Sequence, residues 1–237
     1  LARLQSNGLL ALDVAGTLTN LGTLSSPGQL QIRAAHLDNR GQLSAANAGG
    51  NAQLLLQLAG RLDNSGRIGA DLLQADAHLL HNTGIVLGNQ VQLRASQIIN
   101  GRDLGQADNS AAPYNEGTLA AVHTLQLNAG SVHNLDGLIY SGDALRIAGQ
   151  DGGSAARVEN VSGQIQAGGG LHINAAHIDN RRRIFETRTH TLSAEEQAAN
   201  QRVQYSALDW WNDAALADAC EAFRRSHNGG WRCKPGA

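Results

Sequence analysis

The chain contains no methionine, a single lysine (Lys234) against 17 arginines, three prolines, two cysteines and only eight aromatic residues among 237. Apolar residues still make up 42%, enough for a substantial core, and with so few rings that core has to be aliphatic. No apolar run approaches the roughly 20 residues of a membrane span. The net charge of −2, with an ordinary balance of signs, gives no electrostatic footprint for nucleic acid, which would need a basic stripe. The opening Leu1-Ala2-Arg3, with neither methionine nor a signal sequence, reads as an internal piece of a longer protein.

The scarce residues are also unevenly placed. Tyr114 and Tyr140 are the only aromatics before residue 180, whereas Phe185, Tyr205, Trp210, Trp211, Phe223 and Trp231 crowd the remainder, together with Lys234, Cys220 and Cys233. Two different materials meet near residue 180.

What is abundant is a repeat. An aliphatic residue, one variable residue, Asn, and then Gly recur at Leu18-Thr19-Asn20, Leu37-Asp38-Asn39, Leu62-Asp63-Asn64, Leu80-His81-Asn82, Ile98-Ile99-Asn100, Val132-His133-Asn134 and Val158-Glu159-Asn160, and a last copy at Ile178-Asp179-Asn180 has Arg181-Arg182-Arg183 in place of the Gly. The separations of these asparagines are 19, 25, 18, 18, 34, 26 and 20 residues. The longer gaps hold Gly-, Ala-, Ser- and Asn-rich stretches at 45–51, 101–114 and 150–155. Asn115-Glu116-Gly117 restores the motif inside the longest gap, so the underlying period is 18 to 20 residues and the expected count is about nine coils.

Period-two alternation between Asn/Gly boundaries is a strand signal. A unit of about 19 residues with short strands cannot bury its own apolar face, but stacked units can. Coils stacked at about 4.8 Å turn each aliphatic position into an inward column, and nine of them give a rod about 40 Å long. The asparagines are expected to form a side-chain ladder at one corner, to tolerate a left-handed turn, and to be followed by glycines with φ > 0.

Nine histidines raise the question of metal or catalysis. His36 and His177 share one phase of the repeat and His81 and His133 another, which reads as outward-facing surface; His78 and His81 lack a third ligand. Asp13, Asp38, Asp63, Asp71, Asp76, Asp103 and Asp108 do not stack as a carboxylate cluster of the kind a β-helix polysaccharide lyase or hydrolase uses, apart from Asp38 and Asp63, which recur with Asp179 beside their asparagines and are read as part of the turn. No catalytic residue, metal or cofactor is expected.

The stretch Leu37-Asp38-Asn39-Arg40-Gly41-Gln42-Leu43-Ser44-Ala45, echoed at 62–70 and 178–183, resembles the filamentous haemagglutinin repeats of two-partner-secreted exoproteins. The resemblance covers about residues 4–184. It implies an all-β fold, a right-handed parallel β-helix, in a protein secreted to the surface of a Gram-negative bacterium through a partner outer-membrane transporter. It also implies an adhesin or a contact-dependent growth-inhibition effector whose non-repeat segment meets an outer-membrane receptor or surface glycan on a target cell.

The repeat is expected to occupy residues 1–184 and a partly helical segment 185–237, serving as a cap of the rod, as the start of a receptor-binding region, or as both. Ser193-Ala194-Glu195-Glu196 is a capping box opening a helix to about Tyr205, and Leu216, Ala219, Cys220 and Phe223 form the stripe of a second. Trp210, Trp211, Trp231, Arg224 and Arg225 have the composition of an interface hot spot, with the alternative that the tryptophans are core. Tyr114, on the longest insertion, is a further contact candidate. Cys220 and Cys233 are either a disulfide, which export favours, or two free thiols.

Overall fold

A computed structural model describes residues 2–104, 117–183, 191 and 193–195. Contacts divide the chain into two units, Leu1–Phe185 and Glu186–Ala237. The first holds sixteen strands: β1 (Arg3–Gln5), β2 (Leu9–Asn20), β3 (Thr23–Ser25), β4 (Gln29–Asn39), β5 (Gln42–Ala45), β6 (Gln53–Leu58), β7 (Arg61–Asn64), β8 (Arg67–Asn82), β9 (Ile85–Gly101), β10 (Thr118–Leu135), β11 (Leu138–Ser141), β12 (Ala144–Ala148), β13 (Ala155–Val161), β14 (Gln164–Ala167), β15 (Leu171–Ile173) and β16 (Ala175–Arg181). Every pairing is parallel, and each joins a strand to its counterpart one coil away. This is a parallel β-helix. Of the second unit only Thr191 and Ser193–Glu195 are described, with Ala194 and Glu195 helical; the rest of the expected helical segment lies outside the described residues.

One coil shows how the sequence makes the turn. In β8 the residues 67–70, 72–77 and 79–82 pair with three separate parts of β9, so a single long strand bends twice and contributes to three faces. The first face continues through β1, β3, β5, β11 and β14, the second through β6, β12 and β15, and the third through β7, β13 and β16.

Inward positions form aliphatic columns. On the second face Leu30, Leu54, Leu73, Val91, Leu125 and Leu145 stack in register, each at most 2% exposed. On the third, Leu37, Leu62, Leu80, Ile98, Val132 and Val158 do the same and are equally buried. Phe, Tyr and Trp are absent from this core; three β-faces this close together leave room only for branched aliphatic chains and alanine. The columns end where stacking ends. Leu4 and Ile178 occupy inward phases yet are 55% and 58% exposed, so Ile178 is not the buried position its place in the repeat suggests.

The three insertions fall one at each corner, at 46–52, 149–154 and 102–116. The first is held by Asp71, a buried carboxylate that accepts the backbone N–H groups of Asn47 and Ala52 at 3.0 and 3.1 Å and an amide N–H of Asn89 at 3.3 Å. The third corrects the expected coil count. Asn100 pairs directly with Asn134, and Gly117 takes up the turn that starts at Asn100, since the Asn100 amide donates to its carbonyl at 2.9 Å. The 34-residue gap is therefore one coil with a long corner, and the described residues make eight coils rather than nine.

Candidate functional site

Asn20, Asn39, Asn64, Asn82, Asn100, Asn134, Asn160 and Asn180 line the corner between the third and first faces. Each Nδ2 donates to the Oδ1 of the next, at 2.7 to 2.9 Å through all seven steps. The same amide also reaches backbone carbonyls; Asn64 meets those of Gly66 and Ile85 at 3.4 and 3.3 Å. The ladder satisfies polar groups that would otherwise be buried and unpaired, and it belongs to the architecture.

The conformational reason expected for the turn glycines does not hold. None of these asparagines has positive φ, and Gly101 alone does among the glycines that directly close the Asn turns. Glycine is required by stacking: a Cβ on Gly41, Gly66 or Gly84 would run into the carbonyl oxygen of the glycine one coil earlier. Left-handed backbone occurs instead at Asp136 and Ser162, with φ of 58° and 53°, in the two turns that carry one extra residue between Asn and Gly.

The third face carries four of the histidines. His36 and His177 are exposed as expected, but His81 and His133, at 8%, are buried, which corrects their reading as surface variation. The His81 ring lies 3.6 Å from Asp63 and 3.4 Å from Asp103. His133 Nδ1 meets Glu159 at 2.6 Å. Burial pushes the Glu159 carboxyl upward, yet the His133 hydrogen bond and the nearby charges of His133 and Arg157 outweigh it and hold the group below the ordinary carboxylate range.

Ile99, Leu135 and Val161 make a small second core outside the coil. Beside it Asp136 pairs with Arg102 at 3.1 Å and Arg183 at 3.4 Å. Nothing in the repeat pattern announces this cluster; its signal is that positions in the outward phase turn apolar in coils five to seven.

The carboxylates are dispersed among neutralising partners. Asp38 and Asp63 stack, but each holds its own arginine, Arg40 at 2.9 Å and Arg61 at 2.6 Å. They lie on strand rather than in the turn. Asp13 and Asp76 face Arg33 and Arg94 on the second face. No paired acid and base stands in a cleft among the described residues, and no three His, Cys, Asp or Glu side chains converge there as metal ligands would.

The second face is chemically distinct. Its middle outward row reads Gln31, Leu55, Gln74, Gln92, Gln126 and Arg146 from coil to coil, flanked by further glutamines and by the Asp/Arg pairs. Three clefts of about 340, 230 and 740 Å³ open on it. The first two share Gln74 and Gln92, and the second and third share Gln57 and Asp76, so they run as one oblique groove from Arg146 to Asp13. Its row is mostly glutamine, so no titratable motif marks it in the sequence. The available signal was glutamine recurring in phase one residue after the inward Leu or Val.

Trp210, Trp211, Arg224, Arg225, Trp231 and Tyr114, and the pair Cys220 and Cys233, lie outside the described residues. The family model of the haemagglutinin repeat matches residues 5–66, 67–112, 86–155 and 146–207. No curated protein and no solved structure matches the chain. Repeats of this kind generally build secreted, adhesin-like surface fibres rather than enzymes. With eight stacked coils, the asparagine ladder and a family match over most of its length, the chain belongs to the haemagglutinin repeat family.

Proposed function

We propose that the protein is a non-catalytic segment of a surface fibre that projects a recognition surface towards another cell, in the manner of contact-dependent growth-inhibition effectors. The observation that carries this reading is the contrast along the chain: eight coils tied by one continuous ladder, then residues 185–237, where the repeat gives way to tryptophan, arginine and the two cysteines. The rod supplies reach and stiffness, and the non-repeat segment supplies an individual surface, with Trp210, Trp211, Trp231, Arg224 and Arg225 as its contacts and Cys220–Cys233 as its staple. The parent leaves the cell through an outer-membrane transporter, and its partner is an outer-membrane receptor on the target.

The test is binding of the protein to target-cell outer membranes before and after removal of residues 185–237. Loss of binding on removal, with β-sheet circular dichroism retained, is the expected result. Undiminished binding by the shortened rod would move recognition onto the repeat and favour a general adhesin.

A further inference from the structure

We propose that the groove on the second face binds a linear, uncharged polysaccharide of a contacted cell's surface. The inference takes from the preceding section only that the rod meets another cell, and the binding itself is measured without cells.

The lining chemistry selects the ligand. A carboxamide offers two N–H donors and a carbonyl acceptor, which complements a sugar hydroxyl that both donates and accepts. Gln74 and Gln92 join each other by one long hydrogen bond of 3.4 Å, leaving most of that capacity facing outward. Leu55 and Leu72 lie between the glutamines in the clefts and give the C–H face of a sugar ring an apolar seat.

Other linear polymers fit less well. Arg94 is paired with Asp76 at 3.0 Å, Asp13 stands at the far end beside Arg33, and Arg146 at the other end donates to the Gly152 carbonyl at 3.4 Å, so a polyanion such as a nucleic acid or sulfated glycan would meet two carboxylates and a single arginine outside an ion pair. A peptide cannot add as a strand, because the backbone of every inner coil is already paired on both sides.

Length and reactivity agree with this choice. From the coil of Asp13 to that of Arg146 are six steps, about 29 Å at the β spacing, a span that suits a polymer of several sugars. Asp13 and Asp76, the carboxylates in the groove, are three coils apart, about 14 Å, beyond the separation at which two carboxylates cooperate in glycoside cleavage. The groove binds and does not cut.

The experiment is calorimetric titration of the whole protein with hexasaccharides of β-1,4-glucose, β-1,4-N-acetylglucosamine and α-1,4-glucose, and with a heparin hexasaccharide, at low and high salt. At least one uncharged hexasaccharide binds, with the same affinity at both salt concentrations. The Gln74→Ala/Gln92→Ala variant, altered at two exposed positions, weakens that binding about tenfold, the loss of one or two modest hydrogen bonds. Gln42→Ala/Arg67→Ala on the first face leaves it unchanged. Absence of binding by all three uncharged sugars overturns the proposal, as does salt-sensitive binding of heparin alone, or equal weakening by both double variants. None of these outcomes bears on whether residues 185–237 recognise a receptor.

Discussion

Glycine 66 shows how tightly a single position is specified. Its α-carbon faces the carbonyl of Gly41 one coil below, and its own carbonyl faces Gly84 one coil above, so neither neighbour has a flexible side chain to move aside. Gly66→Ala is expected to cost about 2 to 3 kcal/mol through backbone displacement at two levels, measured as a fall in urea midpoint at unchanged slope. Gly16→Ala, where an added Cβ meets nothing within 4 Å, should be neutral or slightly stabilising. That glycine follows the corner asparagines from Asn20 to Asn160 is plain in the sequence; why it must is not, because a left-handed turn and a close inter-coil approach select the same residue. Only the backbone angles separate the two causes.

Within a single strand, inward and outward residues differ most sharply at Leu62 and Asp63. Leu62→Asp would place a carboxylate in the aliphatic column, at a side chain 1% exposed, and should cost more than about 3 kcal/mol. Asp63→Ala removes a half-exposed ion pair with Arg61 and should cost less than about 1 kcal/mol. Comparable losses would reverse the assignment of faces. This alternation was legible from the sequence because the inward phase is always aliphatic. The outward phase carries no such rule: His81 and His133 look like surface variation, and their burial depends on a neighbouring carboxylate one coil away, Asp63 or Glu159, at a sequence distance that the insertions make irregular.

The pairing of His133 with Glu159 also has a direction in pH. The Glu159 carboxyl is held below its ordinary value in the folded protein, so its contribution is fully present above the unfolded value of about 4.3 and disappears as pH falls through the folded one. Urea midpoints taken from pH 6 downwards should fall less steeply for Glu159→Gln than for the parent on the acid side of about pH 4.5. An identical slope would mean that the pair contributes nothing to acid sensitivity.

Across the whole rod, each coil is stabilised by the coils on either side, so protection should depend on position. Amide hydrogen exchange is expected to be slowest at Leu80, Ile98 and Val132 in the central coils and fastest in β1, β2 and β16, whose outer edges have no coil beyond them among the described residues. Uniform protection from end to end would indicate a fully two-state molecule instead. The architecture at this scale was the most legible of all, since eight phased copies of one motif admit few alternatives. The coil count was not, because Asn115-Glu116-Gly117 reads as a further copy of the motif within a gap that is one coil. The groove was hidden for a different reason: it exists only when residues 18 to 34 apart are stacked, and no local window brings Gln74, Gln92 and Gln126 together.

The asparagine ladder gives the rod an arrow. Every carboxamide hands its hydrogen to the one after it, so the row begins with a carbonyl oxygen at Asn20, which takes only the backbone N–H of Gly22 at 3.2 Å, and ends with an N–H at Asn180. Any further coil laid against the Asn20 end must bring a donor, and any laid against the Asn180 end an acceptor. Two such rods can be extended into one another only nose to tail; meeting nose to nose would set like dipoles against each other. A fibre grown from these units has a built-in sense of direction, written in the orientation of a row of amides.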